Sequence, residues 1–159
     1  MRRYLFCLLA LLSLPLVASA QREKIPLRDL VVVEEKWPNA ERTSTGLWTE
    51  VLREGTGVKA ERGDGVNVLY KGWLLDGTLF DQAQDPAKPF AFRLDRGKVT
   101  EGWEYGLLLM REGEKRIIIV PYEMAYGTRG RSPDIPRQST LVFEIELLRV
   151  EKNPPPGRY

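Results

Sequence analysis

The residues of this chain that can do chemistry are aromatic rings, hydroxyls and carboxylates. Tyr70, Phe80, Phe90, Phe92, Trp103, Tyr126 and Phe143 are the prominent rings, and Asp81 directly follows one of them. There is no histidine, and the single cysteine, Cys7, lies inside an N-terminal apolar run. With that run removed, Ser-His-Asp triads, cysteine nucleophiles, disulfides and Cys/His zinc sites are all excluded. An enzyme of this composition must work with carboxylates, hydroxyls, backbone amides or the shape of an apolar cavity. Each ring can bury roughly 150–250 Å². The rings therefore serve either as plain core or as the lining of a concave pocket with a few polar tips. Their types and spacing leave both readings open.

Other motifs carry less. GTGVKA at 55–60 matches G-x-G-x-x-A, but ERGDG follows it. A dinucleotide site requires a helix at that point, so this segment reads as a loop. Asp76, Asp81 and Asp85 lack the spacing and closing glutamate of a calcium loop, and they read as solvated turn residues. No phosphate-binding P-loop occurs. Spacing alone does not exclude a pair of glycosidase carboxylates, although such a site needs a broad cleft.

The elements that must position these residues are mostly strands. VNVLYKGWLLDGTLFD places Val66, Val68, Tyr70, Gly72 and Leu74 on one face, and Asp76-Gly77 within it is a hairpin signal. FAFRL aligns Phe90, Phe92 and Leu94. KRIIIVP fits a buried strand, and STLVFEIELLRVE alternates with Leu141, Phe143, Ile145 and Leu147 on one side. TEGWEYGLLLM alone shows a helical period, with Trp103, Leu107 and Met110 at i, i+4 and i+7. The predicted class is α+β: an antiparallel sheet with one short helix on one face. Residues 121–139 form a long Gly, Pro and Ser-rich loop of the kind that carries function.

The ends differ from this middle. Residues 1–20, with Arg2 and Arg3, an apolar run from Leu5 to Val17 and Ala18-Ser19-Ala20, predict a cleaved secretory signal peptide. The run is shorter than the ~20 residues that span a bilayer, and the Arg pair has little else to support a twin-arginine signal. The expected location is a periplasm or the exterior. Residues 21–45 read as an N-terminal extension, with LVVV as a short strand and KWPNAE as a turn. Without a sustained helical period there, no long dimerisation helix is expected, and the chain reads as a monomer. Residues 152–159 form a proline-rich tail expected to trail from the domain. The chain has 24 basic and 22 acidic residues, and Arg2 and Arg3 account for the difference. That balance argues against nucleic acid or an anionic membrane as the main partner.

Six stretches in order, VLYKGWLLDGTLFD, KPFAF, VTEGWEYGLLLM, EGEKR, MAYG and TLVFEIELL, closely resemble the FK506-binding-protein (FKBP) family of peptidyl-prolyl cis–trans isomerases. The resemblance covers residues 46–151. It implies a curved sheet of five to six antiparallel strands around a short helix, with no cofactor and no metal. It also implies a proline pocket with Trp103 as the floor and Tyr70, Phe80, Phe90 and Phe143 as walls. Val99, Asp81 and Ile135 complete it, Tyr126 offers its hydroxyl to a substrate carbonyl, and the Thr100 N–H is a second donor. The catalytic positions so implied are Tyr126, Asp81 and Thr100, acting on X-Pro bonds of polypeptides. Three positions depart from the family pattern. Thr100 and Asp134 replace aliphatic residues, and Pro86 replaces an arginine that pairs with the pocket carboxylate, leaving the Tyr70 hydroxyl as the expected partner of Asp81. These changes bear more on macrolide binding of the FK506 type than on peptides. The rival reading is a proline-peptide-binding or chaperone module with weak catalysis. A third is a small β-barrel carrier in which the rings are only core.

Overall fold

The computed structural model describes residues 22–155, 157 and 158. The expected signal peptide, residues 1–20, lies outside the described residues. The elements run α1 (Leu27–Lys36), β1 (Glu41–Arg42), β2 (Trp48–Arg53), β3 (Gly65–Leu74), β4 (Leu79–Ala83), β5 (Phe90–Arg93), α2 (Glu101–Leu109), β6 (Lys115–Val120) and β7 (Leu141–Glu151).

The sheet is antiparallel throughout, in the order β1-β2-β6-β7-β3-β4, with β5 also paired to β3. It has seven strands because the extension adds the two-residue β1. Asp76-Gly77 forms the expected β3–β4 hairpin, with Gly77 at φ +94°. The long β3–β7 pairing, from Gly65 opposite Glu151 to Leu74 opposite Leu141, fixes the register of the middle of the sheet.

Alternation sorts the side chains onto two faces. Val66, Val68, Phe92, Ile118, Val120, Phe143, Ile145 and Leu147 point to one side and pack with Trp103, Leu107 and Met110 of the α2 segment. Helix α2 lies close to β6 because Gly102 and Gly106 face it: a Cβ on Gly102 would collide with Val120, and one on Gly106 with Ile118.

The opposite face is also covered, and this corrects two readings of the extension. Residues Leu30–Val33 are part of helix α1, not a strand, so α2 is not the only helix. Leu30, Val33 and Trp37 recur at i, i+3 and i+7 and pack with Ile25, Ile117, Ile119 and Val142 in a second core. The period is masked in the sequence because Leu27 and Val31 are apolar yet 79% and 60% exposed. Burial against the sheet overrides the strand preference of three consecutive valines. Polar contacts tie α1 down as well: Thr140 donates to Asp29 at 2.7 Å, and the Lys36 ammonium donates to the Leu75 carbonyl at 2.6 Å. The extension is laid against the domain.

The tail does not simply trail either. Pro154 is buried and the Arg158 guanidinium stands 2.5 Å from Glu151. Lys152 clips the end of β7 to the buried Asp64 carboxylate at 2.8 Å and to the Lys59 carbonyl at 2.9 Å.

Candidate functional site

Trp103 is held by its helix and by rings from three strands. It is 5% exposed. Tyr70 on β3 meets it edge-on at 4.8 Å and 86°, Phe143 on β7 at 5.3 Å and 83°, and Phe90 on β5 at 6.2 Å and 79°. Phe80 on β4 stands perpendicular to Phe143 at 5.6 Å. These edge-to-face contacts are the favoured geometry for ring quadrupoles, and they fix the indole as a platform. Above it lies a cavity of about 180 Å³. The β3–β7 register places Gly72 opposite Phe143. A Cβ on Gly72 would meet Phe143 and Phe80 at 2.8 Å, so glycine is what lets these two walls approach.

The polar tips sit around this apolar floor. Asp81, on β4 opposite Gly72, lines the cavity. Burial, then the charge of Asp81 and a hydrogen bond with its carboxylate, push the Tyr70 hydroxyl up to about 12, while the Arg131 charge pulls the other way. Tyr70 therefore stays protonated at neutral pH with its hydroxyl close to the Asp81 carboxylate, the partner expected where Pro86 replaces the family arginine. Thr100 caps α2 in extended conformation, and its carbonyl accepts the Trp103 and Glu104 N–H groups at 3.0 and 3.2 Å. Among the described residues the Thr100 Oγ1 is buried without a hydrogen-bond partner. Val99 and Thr100 line the cavity beside Trp103, and Tyr126 comes in from the long loop.

The structure thus brings together Tyr70, Phe80, Asp81, Phe90, Val99, Thr100, Trp103, Tyr126 and Phe143 around one cavity. It does not bring Ile135 there. Ile135 is 2% exposed and packs in the core cluster with the rings, outside the cavity lining. The loop residue that does reach the cavity is Arg131, and Lys98 joins it. Neither was identified from sequence. Arg129, Arg131 and Arg137 share one irregular loop, and no period tells which of them turns inward. Phe92 is core, 1% exposed. Asp76 and Asp85 accept the N–H groups of Thr78 and Ala87 at 2.8 and 2.9 Å and are turn carboxylates. The GTGVKA loop leads to no helix, and Gly57 N–H bonds to the Glu112 carbonyl at 3.0 Å.

A larger hollow of about 820 Å³ lies between the extension and Tyr122. Arg22, Glu23 and Lys24 line its mouth and none of the ring cluster faces it. The chemistry belongs to the smaller cavity.

An aromatic cavity of this size, with a hydroxyl and a helix-cap amide at its rim and an antiparallel sheet over one short helix, defines an FKBP-type isomerase. The comparisons agree. The family model for FKBP-type peptidyl-prolyl cis-trans isomerase matches residues 56–148. Mouse peptidyl-prolyl cis-trans isomerase FKBP2 is 48% identical over 95 residues, 60% of this chain and 68% of the mouse protein. An FK506-binding protein of Neisseria meningitidis serogroup B is 45% identical over 105 residues, 66% of this chain and 96% of that one. Among solved structures, Escherichia coli FkpA superposes with a TM-score of 0.70 at 40% identity, covering 80% of this chain and 57% of FkpA. A peptidyl-prolyl cis-trans isomerase of Pseudomonas syringae gives 0.69 at 35% identity, covering 79% and 92%. The chain belongs to the FKBP family of peptidyl-prolyl cis–trans isomerases, and its enzyme class is that of a rotamase.

Proposed function

We propose that this isomerase acts on X-Pro bonds of exported or unfolded polypeptides, by holding the twisted amide non-covalently over Trp103. The observation that carries the reading is the cavity itself, an indole floor inside a ring of aromatic edges. The expected leader supports an exported location, in a periplasm or the exterior.

The reaction suits a site without imidazole or thiol. Rotation about a peptide bond faces a barrier of roughly 18–20 kcal/mol, and X-Pro bonds exchange over tens to hundreds of seconds. No proton leaves and no covalent bond forms. The planar amide is charge-separated and the twisted amide less so, so transfer from water to an aromatic cavity favours the twisted form. The proline ring rests on Trp103. The Tyr126 hydroxyl and the Thr100 N–H donate to backbone carbonyls on either side of it. Only contacts stronger in the twisted state accelerate exchange, and a thousandfold gain needs about 4 kcal/mol. Asp81, held by the protonated Tyr70, lies at the wall where the amide turns.

The test is cis-to-trans exchange of a Leu-Pro peptide and refolding of a proline-limited protein. The expected outcome is a faster slow phase at low stoichiometry. Suppressed aggregation with an unchanged slow phase would favour the chaperone reading instead. Macrolides of the FK506 type meet the same cavity, but the charged Arg131 and Lys98 at its rim and the exposed Asp134 make weak binding the expected result. The protein acts as a monomer on this reading, since the ten-residue α1 spends its apolar face on its own sheet.

A further inference from the structure

We propose that Arg131 makes this site select substrates with a carboxylate side chain immediately before the proline, Glu-Pro and Asp-Pro in particular. The inference rests on the isomerase reading and deepens it.

Position comes first. The Arg131 Nη1 donates to the Tyr126 hydroxyl oxygen at 3.4 Å. On the isomerase reading that hydroxyl donates to the carbonyl of the residue preceding proline, which puts the guanidinium beside that residue. Tyr126 keeps its own proton for the substrate, because its oxygen is the acceptor in the pair.

The guanidinium is held and underused. Its carbon lies 5.3 Å from the Tyr126 ring centroid and 5.8 Å from that of Phe80. Cation–π contact with both rings steadies the planar fork before any ligand arrives. Among the described residues no carboxylate lies within 4.0 Å of it. Four of its five donors are therefore open to a ligand, and a carboxylate matches that fork in a bidentate way.

The surrounding charge has the same sign. Lys98 lines the cavity and makes no ion pair among the described residues. Asp81 is the one acidic residue of the lining, and the Tyr70 hydroxyl already engages it. The loop from Pro121 to Ser139 carries Arg129, Arg131 and Arg137 against Glu123 and Asp134. A substrate carboxylate thus meets two cations in the cavity lining, while the apolar floor takes the proline ring.

The experiment uses Ala-Xaa-Pro-Phe peptides with Xaa as Leu, Gln, Glu or Lys. It reads kcat/KM, and separately Kd from tryptophan fluorescence. Glu and Gln are similar in shape, so their ratio isolates charge. The expected Glu:Gln preference is about fivefold at low ionic strength and falls toward one as salt screens the pair. Arg131→Gln collapses the ratio to about one, Arg131→Lys retains part of it because lysine keeps the charge and loses the fork, and Lys98→Gln lowers it partly. A wild-type ratio at or below one, or a ratio indifferent to Arg131→Gln, overturns the proposal. Absence of turnover on every peptide would defeat the isomerase reading, and the Kd ratio would still decide the role of Arg131.

Discussion

Val120 occupies the space that a side chain on Gly102 would need. The helix that carries Trp103 can sit at its height above the sheet only because it turns a bare backbone toward β6. Gly106, one turn later, stands in the same relation to Ile118. The site is therefore built on a glycine face, and its floor moves if that face is filled.

Gly102→Ala and Gly106→Ala gain about 1 kcal/mol of helix propensity and lose about 1–3 kcal/mol to overpacking against a rigid β-branched wall. The net expectation is destabilisation and a drop in kcat/KM together. Urea unfolding and peptide exchange on the same samples check it. A stabilised Gly102→Ala protein would contradict the close approach.

Trp103→Ala removes a ring that is both floor and core, at a cost of about 3–5 kcal/mol, so reduced activity there would mix two effects. Trp103→Phe is the sharper variant. It keeps a ring but loses edge contact with Tyr70 and Phe143, and about a fivefold fall in kcat/KM is expected from ~1 kcal/mol of lost contact.

Tyr126→Phe deletes the hydroxyl that accepts from Arg131 and that the proposed mechanism uses as the donor to substrate. One neutral hydrogen bond contributes about 0.5–1.5 kcal/mol, so turnover should fall about two- to tenfold with the fold intact. Unchanged turnover would show the hydroxyl to be dispensable.

Tyr70 sets an alkaline limit. Its hydroxyl is raised from 10.0 to about 12 by burial and by Asp81. Between pH 10 and 12 the unfolded chain loses this proton and the folded chain keeps it, so stability present below pH 10 is lost progressively as pH rises toward 12. Chemical unfolding at stepped alkaline pH reads the slope. Tyr70→Phe should flatten it, because the replacement has no proton to lose.

Helix α1 is the second support. Val33 is fully buried between Ile117, Ile119 and Val142. Val33→Asp places a charge there without a partner, and a loss of at least 3 kcal/mol is expected. Removing residues up to Lys36 should leave a sheet that aggregates, because Trp48, Trp73 and the outward isoleucines lose their cover. A soluble, equally stable truncation would show that α1 is ornamental.

Most of the site was legible because its residues lie on regular elements. A period of two put Tyr70 and Phe143 on inward faces, and a period near four put Trp103 toward the sheet. The lack of histidine, and the expected loss of Cys7 with a leader, point to shape rather than reactive groups. Family resemblance then named the pocket. Three things were not legible. Helix α1 was hidden by exposed Leu27 and Val31, which blur its stripe. Ile135 lies in the core while Arg131 lines the cavity, because an irregular loop has no period that tells which side chain faces the site. The tail was pinned by Arg158 and Lys152, whose partners Glu151 and Asp64 lie up to 88 positions away.

The sequence by itself determined the sheet, the hairpin at Asp76-Gly77, the helix under Trp103 and the class of chemistry, since local periodicity and residue types are written in neighbouring positions. The tertiary structure alone decided the rest: that a second helix covers the outer face, that Ile135 packs in the core, and that Arg131 lines the cavity. Each of these depends on groups far apart in the chain, and their meeting is fixed by burial and by the β3–β7 register rather than by spacing along the backbone.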